Sequence, residues 1–269
     1  MPQLRNARRL LAGSAAVILA AAAGSLAACQ NFGDVTGSIG ATGKAPASNA
    51  QLRAYADAAQ KRYERNAGEK TASIDYARAL RALTRYDEAV AVMQTAAIKA
   101  PKDEEVLGEY GKALADAGQL AQAKDVLTRA YTPDDPKWDV MSVQGAVADR
   151  MGDHAAAMRF YGEALKIAPG EPSVLTNMGL SLALNRQLPE AEQTLRQAVA
   201  SPKADSRMRG DLALVLALER KYAEAEEVSR ADLSPDEAHA NVEAIKRMIA
   251  DSGPLQDLRK PAKAAKQAG

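Results

Sequence analysis

Few side chains in this sequence are equipped for chemistry. It holds one cysteine, Cys29, and two histidines, His154 and His239. A deprotonated thiol is a strong nucleophile, so Cys29 is the residue a covalent reaction would use. The histidines stand apart, and no HExxH, cysteine pair or histidine cluster offers the spacing zinc needs. No glycine-rich phosphate loop is present. Carboxylates are plentiful, and a pair of them can hydrolyse a glycosidic bond without any sequence motif. Yet each candidate, such as Glu224, Glu226 or Glu227, falls on a regular helical stretch and reads as a solvated face. The expectation is no catalytic site, no metal and no cofactor. A lone cysteine also leaves no intrachain disulfide.

The surroundings of Cys29 give its thiol a role. Arg5, Arg8 and Arg9 form a basic start with no acid among the first 28 residues, and without them the net charge falls from +1 to −2. Residues 10–23 are an apolar run of about fourteen, short for a final membrane span. Such a leader is an export address rather than part of a fold. Arg8-Arg9 is a common feature of such leaders, so ordinary Sec export is expected. The run ends in Leu26-Ala27-Ala28-Cys29, which resembles the lipobox of bacterial lipoproteins. The resemblance implies cleavage before Cys29 and assembly of a diacylglycerol on its sulfur. More than one acyl chain gives stable anchoring. Gln30 stands where Asp would resemble an inner-membrane retention signal, so the expected location is the outer membrane, lipid-anchored and facing the periplasm. Residues 29–48, rich in Gly, Ser, Thr and Ala, read as a lipidated flexible tether. Its nineteen residues after Cys29 would span roughly 25 Å on average and about 65 Å at full stretch.

The elements beyond the tether follow from composition and a repeat. Hydrophobic residues make up 47% of the chain but aromatics only 4%, so the apolar content is largely Ala and Leu, strong helix formers. Strand-filling residues are scarce, and the fold class expected is all-α. The near-neutral charge argues against a nucleic-acid partner. Ala89, Ala123, Ala157, Ala191 and Ala225 are spaced 34 residues apart. Two further rows keep the step: Ala96, Ala130, Ala164 and Ala198; and Ala77, Gly111, Gly145, Gly179 and Ala213.

This period, with Gly145, Ala157-x3-Tyr161, Ala164 and Pro169 in the best-matching unit, resembles the tetratricopeptide repeat (TPR), a helix–turn–helix unit. It predicts a superhelical solenoid of about five repeats over 70–233, starting at 70, 104, 138, 172 and 206, with a degenerate fifth in which Asp232 replaces a small residue. Small residues let paired helix axes approach near the lower end of the usual ~8–10 Å. Large ones, Tyr76, Leu80, Leu114, Leu127, Tyr161 and Leu195 among them, fill the space between. Terminal repeats need covers. Residues 49–69 supply an N-terminal capping helix with Leu52, Tyr55, Ala59 and Tyr63 at helical spacing. Residues 234–251 supply a C-terminal one, opened by Ser234 as N-cap with Pro235 and Glu237 behind it. The tail, 252–269, is Pro-, Lys- and Ala-rich and is expected to be disordered.

In TPR proteins the first helix of each repeat lines a concave groove. Transferred by register, the groove positions are Ile74, Asp75, Arg78 and Arg81 in the first repeat, Glu109 and Lys112 in the second, Ser142, Val143 and Asp149 in the third, Thr176, Asn177 and Leu180 in the fourth, and Asp211 and Leu214 in the fifth. Of these a peptide groove would use Arg78, Arg81, Lys112, Asn177, Leu180 and Leu214. Arg78 and Arg81 are expected exposed on its wall. Leu180 and Leu214 could equally serve as packing on the next helix or the cap. The four-residue basic pattern of chaperone-type TPRs is not met, with only Asn177 matching an element. The order of lipobox, tether, single helix, repeats and terminal helix, with the segment 171–184, resembles the TadD family of outer-membrane lipoproteins of the tight-adherence (Flp) pilus. That resemblance implies a non-enzymatic pilotin, a scaffold escorting a secretin or another pilus-assembly subunit. The alternative is a periplasmic TPR adaptor for peptidoglycan hydrolases. The register itself is testable. Ala157→Leu should overpack a helix pair and cost about 1–3 kcal/mol; an unchanged thermal melt would mean that the rows are misaligned.

Overall fold

A computed structural model describes residues 49–260. The expected signal sequence (1–28), the expected lipidation at Cys29, the expected tether (29–48) and the tail beyond 260 lie outside the described residues. Helix α1 spans Asn49–Arg65. Five pairs follow: α2 (Lys70–Ala82) with α3 (Tyr86–Lys99), α4 (Glu104–Asp116) with α5 (Leu120–Leu127), α6 (Trp138–Arg150) with α7 (His154–Ile167), α8 (Pro172–Leu184) with α9 (Leu188–Val199), and α10 (Ser206–Leu218) with α11 (Tyr222–Ser229). Helices α12 (Pro235–Asp251) and α13 (Gly253–Leu258) are the last among the described residues. The first helices of the pairs begin 34 residues apart, at Lys70, Glu104, Trp138, Pro172 and Ser206. This is an all-α TPR solenoid.

The same step governs both ends of the first helices and the starts of the second. The residue before each first helix is Glu69, Asp103, Lys137, Glu171 or Asp205. Three of these cap the exposed N–H groups with their carboxylates, as Asp205 does by accepting from the Met208 amide at 2.8 Å. Each uncapped donor left at a helix start would otherwise lack a partner. Lys137 can accept nothing, and Glu171 relies on Pro172 at the first turn. Within each pair the turn residue is left-handed: Thr84, Gly118, Gly152, Arg186 and Arg220 all have φ between 60° and 84°. The next amide then reaches back to a helix carbonyl, as Asp153 N does to Ala148 O at 2.9 Å, a closure that needs this conformation. Only two of the five positions carry glycine.

Packing explains the rows of small residues. Ala89, Ala123, Ala157, Ala191 and Ala225 are fully buried, as are Ala96, Ala130, Ala164 and Ala198. Opposite them, a Cβ on Gly111 would lie 2.4 Å from Cδ2 of Leu127, one on Gly145 2.4 Å from Cε1 of Tyr161, and one on Gly179 2.7 Å from Cγ of Leu195. No carbon fits at such separations, so the helices pack through hydrogen-only surfaces there. Continuous apolar packing runs from Ala59 through the first two repeats to Val140 and Val147, through Met141, Tyr161 and Val174, and on to Ile245 and Leu255. Helices α5 and α11 are short at 8 residues each. In the fifth repeat Asp232, in place of a small residue, ties to Arg209 at 2.6 Å.

Both ends are covered, with two differences from the sequence reading. On α1 the buried face is Leu52, Ala56 and Ala59, while Tyr55 stays half-buried. Ala56 lies one position beyond Tyr55 on the turn, and its small size seats it against the first repeat. Ser234 and Glu237 form a reciprocal capping box on α12, which buries Ala238, Val242, Ile245 and Ile249. The expected disorder of residues 252–269 does not begin at 252. Ser252 caps α13, Leu255 is 1% exposed, and Arg259 donates to the carbonyls of Leu218 (3.1 Å) and Ala217 (2.9 Å). Composition concealed this because Leu255 and Leu258, three residues apart, supply an apolar stripe within a polar stretch. Backbone strain at Thr84 gives a direct test. A β-branched residue at φ 60° carries a cost of roughly 1–2 kcal/mol that glycine does not. Thr84→Gly should therefore raise stability by about 1 kcal/mol in chemical denaturation, and a loss of stability would count against the turn geometry.

Candidate functional site

The first helices of the five repeats line the concave face, and its two halves differ. In the first half, charges are consumed by one another. Glu109, 3% exposed, accepts from Arg78 Nη2 at 3.0 Å, Lys112 Nζ at 3.0 Å and Arg81 Nη1 at 3.5 Å. Lys112 also donates to Asp139 at 2.7 Å, and Arg81 Nε to Asp116 at 2.7 Å. Burial alone would push the Glu109 carboxyl up, but Lys112 first, then Arg78 and Arg81, hold it down at about 2. Lys112 is likewise buried, and Glu109 and Asp139 keep it charged above its ordinary range.

This corrects the expectation that Arg78 and Arg81 stand free on the wall. Arg81 is 5% exposed and the Arg78 side chain 19%. Glu109 lies one repeat along on α4 and supplies the packing need that a reading of α2 alone could not see. Lys112 is buried for the same reason. Reversing these cations would leave a buried carboxylate beside like charge, a severe structural lesion rather than a surface edit. Leu214, 8% exposed, packs into the C-terminal core with Val242 and Ile245, so of its two readings the structure places it in packing. Leu180 and Asn177 keep partial exposure, and Asn177 donates to Ser142 Oγ at 3.1 Å.

Asp149 lies on an inter-repeat tie rather than on the groove wall. Its Oδ1 meets His154 Nδ1 at 2.7 Å and Ser181 Oγ at 2.8 Å, and its Oδ2 accepts from the Tyr161 hydroxyl at 3.0 Å. Burial, then Asp149, pushes the Tyr161 hydroxyl well above its ordinary value. Serine, histidine and aspartate meet here, but in an order unsuited to nucleophilic catalysis. Serine donates to the carboxylate and has no histidine to take its proton. The cluster fastens α6, α7 and α8 together. His239 pairs with Glu226 at 2.9 Å on the surface. Among the described residues no group of three or more His, Cys, Asp or Glu side chains could hold a metal ion, and no helix is long and apolar enough to cross a membrane.

Where the two halves meet, a concavity of about 200 Å³ opens between α4, α6, α8 and α10, lined in part by Lys112, Asp116 and Asp139 of the seam. Half-buried Trp138, Val143 and Ala146 give it an apolar floor, and Arg150 and Arg207 stand at its edges. The sequence reading missed Trp138, Arg150 and Arg207. The signal for them was in the 34-residue columns, where Arg207 falls in line with Asp139 and Ser173, and Arg150 with Asp116. Asp211, one turn beyond Arg207, keeps some exposed surface, yet its Oδ2 is shut from solvent and has no hydrogen-bond partner, as is true of Arg207 Nε. Burial pushes the Asp211 carboxyl up to about 6, with Arg207 opposing.

A TPR solenoid is a protein-interaction scaffold, and that is the class this fold and concave face define. Models of the tetratricopeptide repeat match residues 80–140 and 142–171. Among solved structures the chain is similar to TTC0263, a thermophilic TPR protein of Thermus thermophilus, at 22% identity, covering 64% of this chain and 97% of that one with a TM-score of 0.53. It is also similar to a monomeric IFIT1 mutant, at 15% identity, 79% and 54% coverage and a TM-score of 0.60. A third likeness, to the Cut9–Hcn1 hetero-tetramer of the APC/C, has 13% identity, 77% and 45% coverage and a TM-score of 0.57. At these identities the likeness is one of fold alone. No curated protein matches the sequence.

Asp211 yields a pH prediction. Its folded-state value lies above the ordinary 3.8, so the associated stability is fully present below 3.8 and is lost as pH rises through about 6. Asp211→Asn should thus stabilise the protein at pH 7 by about 1–3 kcal/mol, with no gain at pH 3.5. Melts across that range check this, and a gain independent of pH would contradict the buried carboxyl.

Proposed function

We propose that this protein is a lipid-anchored, non-enzymatic scaffold at the periplasmic side of the outer membrane. In this reading it binds a secretin or another pilus-assembly subunit through its concave face, as a pilotin-like assembly factor of a tight-adherence (Flp) pilus. The observation that carries the reading is the join of two features in one chain. Leu26-Ala27-Ala28-Cys29 offers an acylation point, and a five-repeat solenoid follows a short tether. A lipid anchor holds the scaffold at one surface, and the tether lets its groove sample the space beneath it. A membrane-embedded partner is then met at high effective concentration.

The anchor is tested by Cys29→Ser. The variant should incorporate no labelled fatty acid and should move from the outer-membrane fraction to the soluble periplasm. A variant that still labels and floats with outer membranes would contradict the anchor. Pull-down from envelope extracts tests the partner. Recovery of a secretin by the wild-type protein is expected; recovery of peptidoglycan hydrolases in its place would replace the pilotin reading with that of a hydrolase adaptor.

A further inference from the structure

The concavity between the second and fifth repeats holds a charge imbalance that the wall before it does not. There every buried charge has an opposite partner. Lys112 is held by Glu109 and Asp139, and Asp116 by Arg81. Arg150 and Arg207 line the same opening, as do Asp116 and Asp139 of that seam, and neither arginine makes an ion pair at contact distance, Arg207 feeling only the attraction of the Asp211 carboxylate one turn along. Arg150 is exposed and donates to the Ala115 carbonyl, a bond that aims the guanidinium without neutralising it. Arg207 has an Nε with no hydrogen-bond partner, and Asp211 beside it makes no bond to it. Between these cations lies the apolar floor of Val143 and Ala146, with Trp138 at its side.

Resting on the scaffold reading above, we propose that the segment received by this groove is an extended acidic peptide stretch of a partner protein. Its Glu or Asp side chains meet Arg150 and Arg207, and one apolar side chain between them seats on Val143 and Ala146 against Trp138. Carboxylates suit these guanidinium groups because an arginine fork pairs with them through two parallel hydrogen bonds. A basic segment would set like charges together, and a neutral one would strip water from two cations without replacing it. Trp138 and the arginines are the side-chain types that most often anchor interfaces.

Trp138 is the only tryptophan in the chain, so its fluorescence reports occupancy of this groove without a label. The purified lipoprotein in detergent would be titrated with three end-blocked peptides: Ala-Glu-Glu-Leu-Glu-Glu-Ala, its Lys counterpart and its Gln counterpart. Blocked ends remove any terminal carboxylate. The expected result is a saturable emission shift with the Glu peptide alone, weakened by salt. Binding should fall at least tenfold in Arg150→Gln/Arg207→Gln, with the helical content retained by circular dichroism at the temperature of the titration. Equal or tighter binding of the Lys or Gln peptide, or undiminished binding by the variant, would overturn the acidic partner while leaving a peptide groove. No response to any peptide, from a protein that still captures its partner in pull-downs, would overturn the groove assignment and leave the scaffold reading standing.

Discussion

The contact between the α6 backbone at Gly145 and the ring of Tyr161 on α7 fixes the distance between two helices, and its counterparts at Gly111–Leu127 and Gly179–Leu195 do the same in the neighbouring repeats. Each pair leaves no room for a single added carbon. Because a TPR solenoid is a chain of near-identical steps, the geometry of one pair sets the rotation to the next. The close approach therefore determines more than local packing. It sets where every first helix stands relative to the one before, and so which side chains from successive repeats can meet on the concave face.

Those meetings divide the face. Arg78 reaches Glu109 across 31 positions of sequence, Arg81 reaches Asp116 across 35, and Lys112 reaches Asp139 across 27. A carboxylate as buried as Glu109 stays ionised because three cations surround it. The first two repeats and the start of the third are thus joined by an ionic seam and offer a partner little unspent charge. From the third repeat onward the first-helix columns change character: Ala146 replaces the cation of Lys112, and Arg150 replaces the acid of Asp116. The seam ends there, and an opening with an apolar floor and cationic edges takes its place. Beyond the seam, neutral bonds such as Asn177 to Ser142 join the first helices.

Much of this fold was legible in the sequence because small residues report on close packing directly. The 34-residue rows placed the start of each first helix, and Ser234-Pro235-Asp236-Glu237 placed the start of α12. The groove was far less legible. Arg78 and Arg81 look like surface cations when α2 is read alone, and only the column containing Glu109 shows where they go. Leu214 has the same hydropathy whether it faces a partner or α12, and sequence cannot separate the two. The short α13 was hidden because two leucines and a capping serine carry it within a stretch of polar composition. What failed in each case was information held by a neighbouring element.

The central claim, that glycine against a bulky side chain sets the helix spacing, is tested most directly by a double-mutant cycle on Gly145 and Tyr161. Stabilities of the wild type, Gly145→Ala, Tyr161→Ala and the double variant would be measured by chemical denaturation. If the contact sets the spacing, the added methyl is costly against the tyrosine ring and far less so once the ring is gone, giving a coupling of about 1–3 kcal/mol. Additive effects, within about 0.5 kcal/mol, would mean that the two residues do not limit each other's approach and would contradict the account.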